Sequence, residues 1–202
     1  MPKSAERCKE IRTQMKETIL HKSMLYFARN GFAGTKISDL ARNIGIAQGT
    51  IYLYFESKEV LYREVYKRIN RDDDIKQVKY LSLLPISPKE KIHIMSKSIL
   101  QKLETDDNFA AIIALNTQML FEQGSDNSSS DSTYQSLLYK HTAKIISQGQ
   151  KDGSVVSGSP IKLADYYWGV VYLYSLKKLF TSNYEMISCA DLERTLLIGK
   201  EK

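Results

Sequence analysis

The chain has 202 residues, with 29 lysines and arginines against 23 acids, 43% hydrophobic residues and two cysteines. That balance suits a folded protein with a real core, and so few cysteines exclude a small disulfide-stapled scaffold. No run of about 18 uncharged apolar residues occurs and the N-terminus lacks a charged-then-apolar leader, so a cytoplasmic protein with no membrane partner is expected.

The positive excess is localised. Residues 1–70 carry 13 Lys and Arg against 7 Asp and Glu, whereas residues 71–202 carry 16 of each. Charge gathered at one end argues for a polyanionic partner there, although charge alone does not separate DNA from RNA or an anionic membrane. Within that end, Lys3, Arg7, Lys9, Arg12 and Lys16 alternate with Glu6, Glu10 and Glu17, which reads first as a solvated helix face and second as a DNA-touching arm.

The segment from Gly31 to Leu61 is the most informative. Thr35 is placed to cap a helix whose apolar residues Ile37, Leu40, Ala41 and Ile44 recur at three and four, and Gly45 suits the left-handed position that ends it. A second short helix begins near Gln48, with Ile51 and Phe55 as its buried side. Two short helices across a glycine turn make a helix-turn-helix. The other faces of the second helix carry Gln48, Gly49, Thr50, Tyr52 and Tyr54 with no acid, a composition suited to base edges and phosphates. Gly49 weakens so short a helix, which makes sense where the backbone must approach a phosphate or groove wall.

From Ile19 to about Leu61 these residues resemble the TetR (tetracycline-repressor-like) transcriptional regulators. Ile19, Phe27, Gly31 and Phe32 resemble the family's first helix and its exit, and Thr35 through Gly45 its second helix. Gly49, Thr50, Ile51, Tyr52, Tyr54, Phe55, Ser57, Lys58, Glu59 and Leu61 resemble its third helix and the entry to its fourth. Ser23 departs from the family's usual alanine, and Ala47 from the serine or threonine that usually caps the recognition helix. The resemblance implies double-stranded DNA as partner, with Gln48, Gly49 and Thr50 in the major groove, Tyr52 and Tyr54 at phosphates or the groove edge, and Lys58 pinning the backbone. For Tyr52 and Tyr54, packing inside the small helical core is the competing reading. Thr35 and Lys36 are further phosphate candidates, and Ser57 is a cap for the fourth helix.

A fourth helix runs from Glu59 through Val60, Leu61, Val65, Tyr66 and Ile69, with the acidic triplet Asp72 to Asp74 as its end. Helices are expected over 88–104, 108–123, 133–151, 160–181 and 189–199, set off by Pro85, Pro88, Asp106-Asp107, a serine-rich stretch and the segment Gly153 to Pro160. Nothing reads as a sheet. The expected fold is all-α, with a three-helix DNA-binding domain over 1–62, a helical effector-binding and dimerisation domain over 63–202, and about nine helices in total.

In the 160–181 helix, Tyr166, Tyr167, Trp168, Tyr172, Tyr174 and Phe180 fall on more than one face, as in a helix with more than one neighbour. The resemblance implies a homodimer formed by this helix and the 189–199 segment, including Leu192, Leu196 and Leu197. Two-fold symmetry would present two recognition helices about 34 to 36 Å apart to an inverted repeat. Met95, Ile99, Phe109, Ile113, Met119, Tyr134, Trp168 and Tyr172 are candidates to line the small-molecule pocket that the family implies, with ordinary core packing as the alternative for each.

No Walker loop, GxSxG elbow or HExxH occurs, so no catalytic residue and no cofactor is expected. Cys8 and Cys189 read as free thiols, and His21, His93 and His141 show no metal-binding spacing, so no metal is expected. The expected function is a dimeric repressor that an apolar effector releases from a palindromic operator. The alternative is a helical ligand-binding or adaptor protein acting mainly through protein partners.

Overall fold

The computed structural model describes residues 2–69, 73–124 and 136–199. Among them the fold is all-α, with ten helices and a single isolated extended bridge. The chain divides into two compact units, Met1–Asn70 and Arg71–Lys202.

The first unit, the head, holds α1 (Pro2–Gly34), α2 (Ile37–Ile44), α3 (Gln48–Tyr54) and α4 (Lys58–Ile69). The helix face expected of the basic arm is present, because α1 is helical from Pro2 and residues 6–14 are exposed. Burial begins at Ile19 and Leu20 and returns at Ser23, Met24, Phe27 and Ala28, one face of a 3.6-residue period. The α1 run breaks at Gly31, whose φ of 67° glycine tolerates without strain. Helix α4 packs on α1, and Leu61 and Val65 are buried. The head therefore runs past the boundary expected at residue 62 and includes all of α4.

Helix α2 buries Ile37, Leu40, Ala41 and Ile44 and ends at Gly45, with φ of 86°, whose N–H donates to Ala41 O and Arg42 O. The Ile46 N–H also reaches Ala41 O, completing a left-handed C-terminal stop. Lys22 Nζ donates to Ile44 O at 3.1 Å, satisfying another carbonyl left over at that end.

The second unit, the body, holds α5 (Asp73–Leu83), α6 (Pro88–Thr105), α7 (Asp107–Gly124), α8 (Leu137–Lys151), α9 (Pro160–Phe180) and α10 (Cys189–Glu193). Helices α6, α7 and α9 match the expected spans closely; α8 matches the expected 133–151 from Leu137 onward, and residues 133–135 lie outside the described residues. Of the acidic triplet expected as a stop, Asp72 lies outside the described residues, and Asp73 and Asp74 open α5, where acids favour the positive end of a helix. Helix α9 packs against α6, α7 and α8 and buries Leu163, Ala164, Tyr167, Trp168, Val171, Ser175 and Leu179. Its buried polar groups are paired: Tyr167 OH with Ser96 Oγ at 3.0 Å, and Trp168 Nε1–H donating to Thr142 Oγ1 at 3.0 Å.

The last helix is much shorter than the expected 189–199. After Glu193 the chain turns, and Leu197 bridges Val155 in an antiparallel pair, with Val156 N–H donating to Leu196 O and Ile198 N–H to Ser154 O. Pairing these amides and carbonyls with residues 154–156 removes them from any continuing helix. Leu192 and Leu196 are wholly buried in the body, which corrects their expected place on an exposed dimer face.

Candidate nucleic-acid interface

Helix α3 is seven residues long and is held by two side chains pointing inward. Ile51 and Phe55 are 1% and 2% exposed, as their spacing requires. At about 100° per residue, Gln48, Tyr52, Gly49 and Leu53 fall on one arc of about 140° that begins about 60° round from Ile51. All four are exposed, and Leu53 is the most open large apolar residue of the arc at 75%. Thr50 and Tyr54 lie between the two faces and are half-buried. The competing core reading of the two tyrosines thus divides: Tyr52 faces outward, and Tyr54 rests partly against the head with the Arg12 guanidinium 6.0 Å from its ring centre.

A Cβ built on Gly49 meets nothing within 4 Å, so no internal packing demands glycine there. Ala47 occupies the N-cap position with φ −69° and ψ 144° and gives no side-chain hydrogen bond, as the sequence departure anticipates. Helix α1 brings two cations to the far end of α3, Arg12 beside Tyr54 and Lys16 5.7 Å from the Phe55 ring centre. Both were legible only as members of the basic arm.

Two of the expected phosphate ligands face inward. Thr35 is 2% exposed and its hydroxyl donates to Gly31 O at 2.6 Å, so it neither caps α2 nor reaches a phosphate; Lys36 is the N-cap residue and is exposed. The Lys58 ammonium donates to Phe32 O at 2.9 Å and Thr35 O at 3.1 Å and sits 4.2 Å from the Phe32 ring centre. It clamps the α1–α2 joint to the start of α4, which is a structural use of the charge. Ser57 does cap α4, accepting from the Val60 N–H at 3.2 Å.

Residues 19–65 match the model of the tetR family of bacterial regulatory proteins. The HTH-type transcriptional regulator YerO of Bacillus subtilis is 46% identical over 48 residues, which cover 24% of this chain and 17% of YerO. The fatty acid metabolism regulator protein of the same organism is 30% identical over 103 residues, 48% of this chain and 50% of that protein. Residues 19–65 thus carry the helix-turn-helix domain of the tetR family. A TetR-like transcriptional regulator from Rhodococcus sp. RHA1 shares the fold over 89% of this chain and 91% of its own, with a TM-score of 0.60 and 17% identity. The chain thus matches half or less of the length of each of these two sequence relatives, whereas the fold likeness spans both units.

In the body, the expected effector residues are distributed between core and surface. Met95, Ile99, Phe109 and Trp168 are each under 10% exposed, and Trp168 has its N–H committed to Thr142. Ile113 and Tyr172 are half-buried. Met119 lies in α7, its side chain outside the described set, and Tyr134 lies outside the described residues. Cys8 and Cys189 are both free thiols.

Proposed function

We propose that this protein is a sequence-specific DNA-binding transcriptional regulator of the TetR family, acting as a homodimeric repressor that a small apolar effector releases from a palindromic operator. The observation that carries the reading is the outer arc of α3, which exposes an amide, a glycine backbone, a phenol and a leucine while no packing inside the head accounts for the glycine. In a major groove, Gln48 has the bidentate geometry for adenine, and Leu53 offers apolar contact for a thymine methyl. Gly49 lets the backbone approach closely, while Tyr52 on the arc and Thr50 beyond it, with Lys36 at the start of α2, suit phosphate or sugar oxygens. Tyr54 contributes through its exposed side, backed by Arg12. Thr35 and Lys58 act indirectly, by holding the angle at which α2 and α3 are presented.

Dimerisation is supported by the outward side of α9, where Tyr166, Gly169, Leu173 and Phe180 are exposed at spacings of three, seven and fourteen from the first. Such a stripe, close to a heptad seam, suits a second copy of the same helix across a two-fold axis. The dimer interface therefore centres on α9. For release, an effector must bind the DNA-incompetent arrangement more tightly than the competent one, and the half-buried Ile113 and Tyr172 are the members of the expected set open to such contact.

Selection of bound duplexes from a random pool tests the reading. An inverted repeat bound about a thousandfold better than scrambled DNA at physiological salt is the expected result. Equal binding to every duplex would leave only a polyanion-binding head, and a single half-site bound by a monomer would remove the dimer.

A further inference from the structure

The sequence scatters its histidines and cysteines, yet the tertiary structure brings one of each together with an acid, in the body. His93 from α6 meets Cys189 and Glu193 from α10, with the three ligand atoms within 4.8 Å of one another. His93 Nδ1 is 2.8 Å from Glu193 Oε1 and 3.8 Å from Cys189 Sγ, and the Cys189 thiol donates to the same Oε1 at 2.9 Å. Cys189 and Glu193 stand four apart on one helix and so share a face. A five-residue helix does not persist by propensity. This one is fixed by Ser188 Oγ accepting the Asp191 N–H and by the buried Leu192 beneath it, so its two ligands are held against the longer α6.

We propose that His93, Cys189 and Glu193 bind a divalent transition metal of the zinc class. The first argument is distance. With Zn–S of about 2.3 Å and Zn–N or Zn–O of about 2.0 Å, tetrahedral ligand atoms lie about 3.3 to 3.5 Å apart, so the cluster needs to open at its short edges by roughly half an ångström. The second is charge. The Glu193 side chain is only 13% exposed, and among the described residues its side-chain partners are the His93 imidazole and the Cys189 thiol, with no lysine or arginine bonded to it; a metal ion there would supply the positive charge that a carboxylate so withdrawn from water favours. The third is ligand chemistry, since a thiolate, an imidazole and a carboxylate together select zinc-like ions over magnesium or calcium, which take oxygen sets.

Three protein ligands leave a fourth position, and His93, more than half exposed, puts it at the surface, where water or an added ligand completes the tetrahedron. Metal at this place ties α10 to α6 and fixes the C-terminal segment on the body. The inference is independent of the DNA reading, because every ligand lies in the body.

The test uses the reduced full-length protein titrated with Co²⁺, followed by displacement with Zn²⁺ and by thermal unfolding with and without Zn²⁺. The expected result is one equivalent of Co²⁺ bound with a thiolate-to-cobalt charge-transfer band, removed by Zn²⁺, and a melting temperature raised by Zn²⁺. Cys189→Ser should abolish the band and Cys8→Ser should leave it unchanged. His93→Ala, at an exposed side chain, should keep the metal-free melting temperature and lose more than the ~10- to 100-fold in Co²⁺ affinity that a merely supporting residue costs. Absence of the band in the wild type, its survival in Cys189→Ser, or unchanged affinity in His93→Ala would each overturn the site.

Discussion

The two units place their polar residues differently. The head carries the whole positive excess of the chain and leaves one side of its shortest core helix unfinished, with no cap at Ala47, a glycine meeting nothing at position 49 and a bare Leu53. The body is electrically balanced and turns its polar groups inward in pairs: Ser96 with Tyr167, Thr142 with Trp168, and the buried Lys91, which donates to Ser82 O and Gln148 Oε1. Burial pushes the Lys91 ammonium below its ordinary pKa, with the neighbouring Lys144 adding to the effect. A unit whose polar groups answer one another is built to hold a shape. A helix face whose composition no internal contact explains is built for a partner, and in the body the outer stripe of α9 and the His93 cluster have that character.

Phe55→Ala should be the most damaging single change to the head. Removing this buried ring should cost the head about 3 to 5 kcal/mol and melt it while the body keeps its own transition, so circular dichroism should show two separated unfolding steps. A single cooperative loss of the whole chain would mean the units do not stand independently.

Lys58→Met separates a structural ammonium from a DNA ligand. Two charge-assisted hydrogen bonds disappear, for a loss of about 1.5 to 3 kcal/mol in head stability, with the salt dependence of DNA binding unchanged. A salt slope reduced by about 1, with stability intact, would return Lys58 to the phosphates. Gln48→Ala acts on the exposed arc alone: it should relax discrimination at one base position by about 1 to 3 kcal/mol and leave the melting temperature in place. Equal loss on specific and scrambled DNA would remove its base-reading role.

The two smaller effects sharpen the comparison by stabilising the head. Ser23 is wholly buried and its hydroxyl has no partner among the described residues, so Ser23→Ala should raise head stability by about 1 to 2 kcal/mol, read as a shift of the denaturant midpoint. Ala47→Ser supplies the missing cap and should add about 1 kcal/mol. Amide exchange in α3 should slow in that variant, and exchange unchanged there would mean that the helix end is already satisfied.

The sequence by itself determined what depends on near neighbours in the chain. Ile37, Leu40, Ala41 and Ile44 had to share a helical face, Gly45 had to stop it, Ser57 had to cap α4, and Ile51 with Phe55 had to turn inward, because periodicity and capping act over three or four residues. The uneven charge was legible for the same reason, since counting needs no fold. Tertiary structure decided the rest. Lys58 looked like a free cation until the carbonyls of Phe32 and Thr35, more than twenty residues away, were brought to it. The 189–199 segment kept a helical pattern throughout, but pairing with residues 154–156 offered its backbone a different partner after Glu193. His93 and Cys189, 96 residues apart, carried no spacing to recognise, because a cluster drawn from two helices is written in how those helices pack and not in the order of the chain.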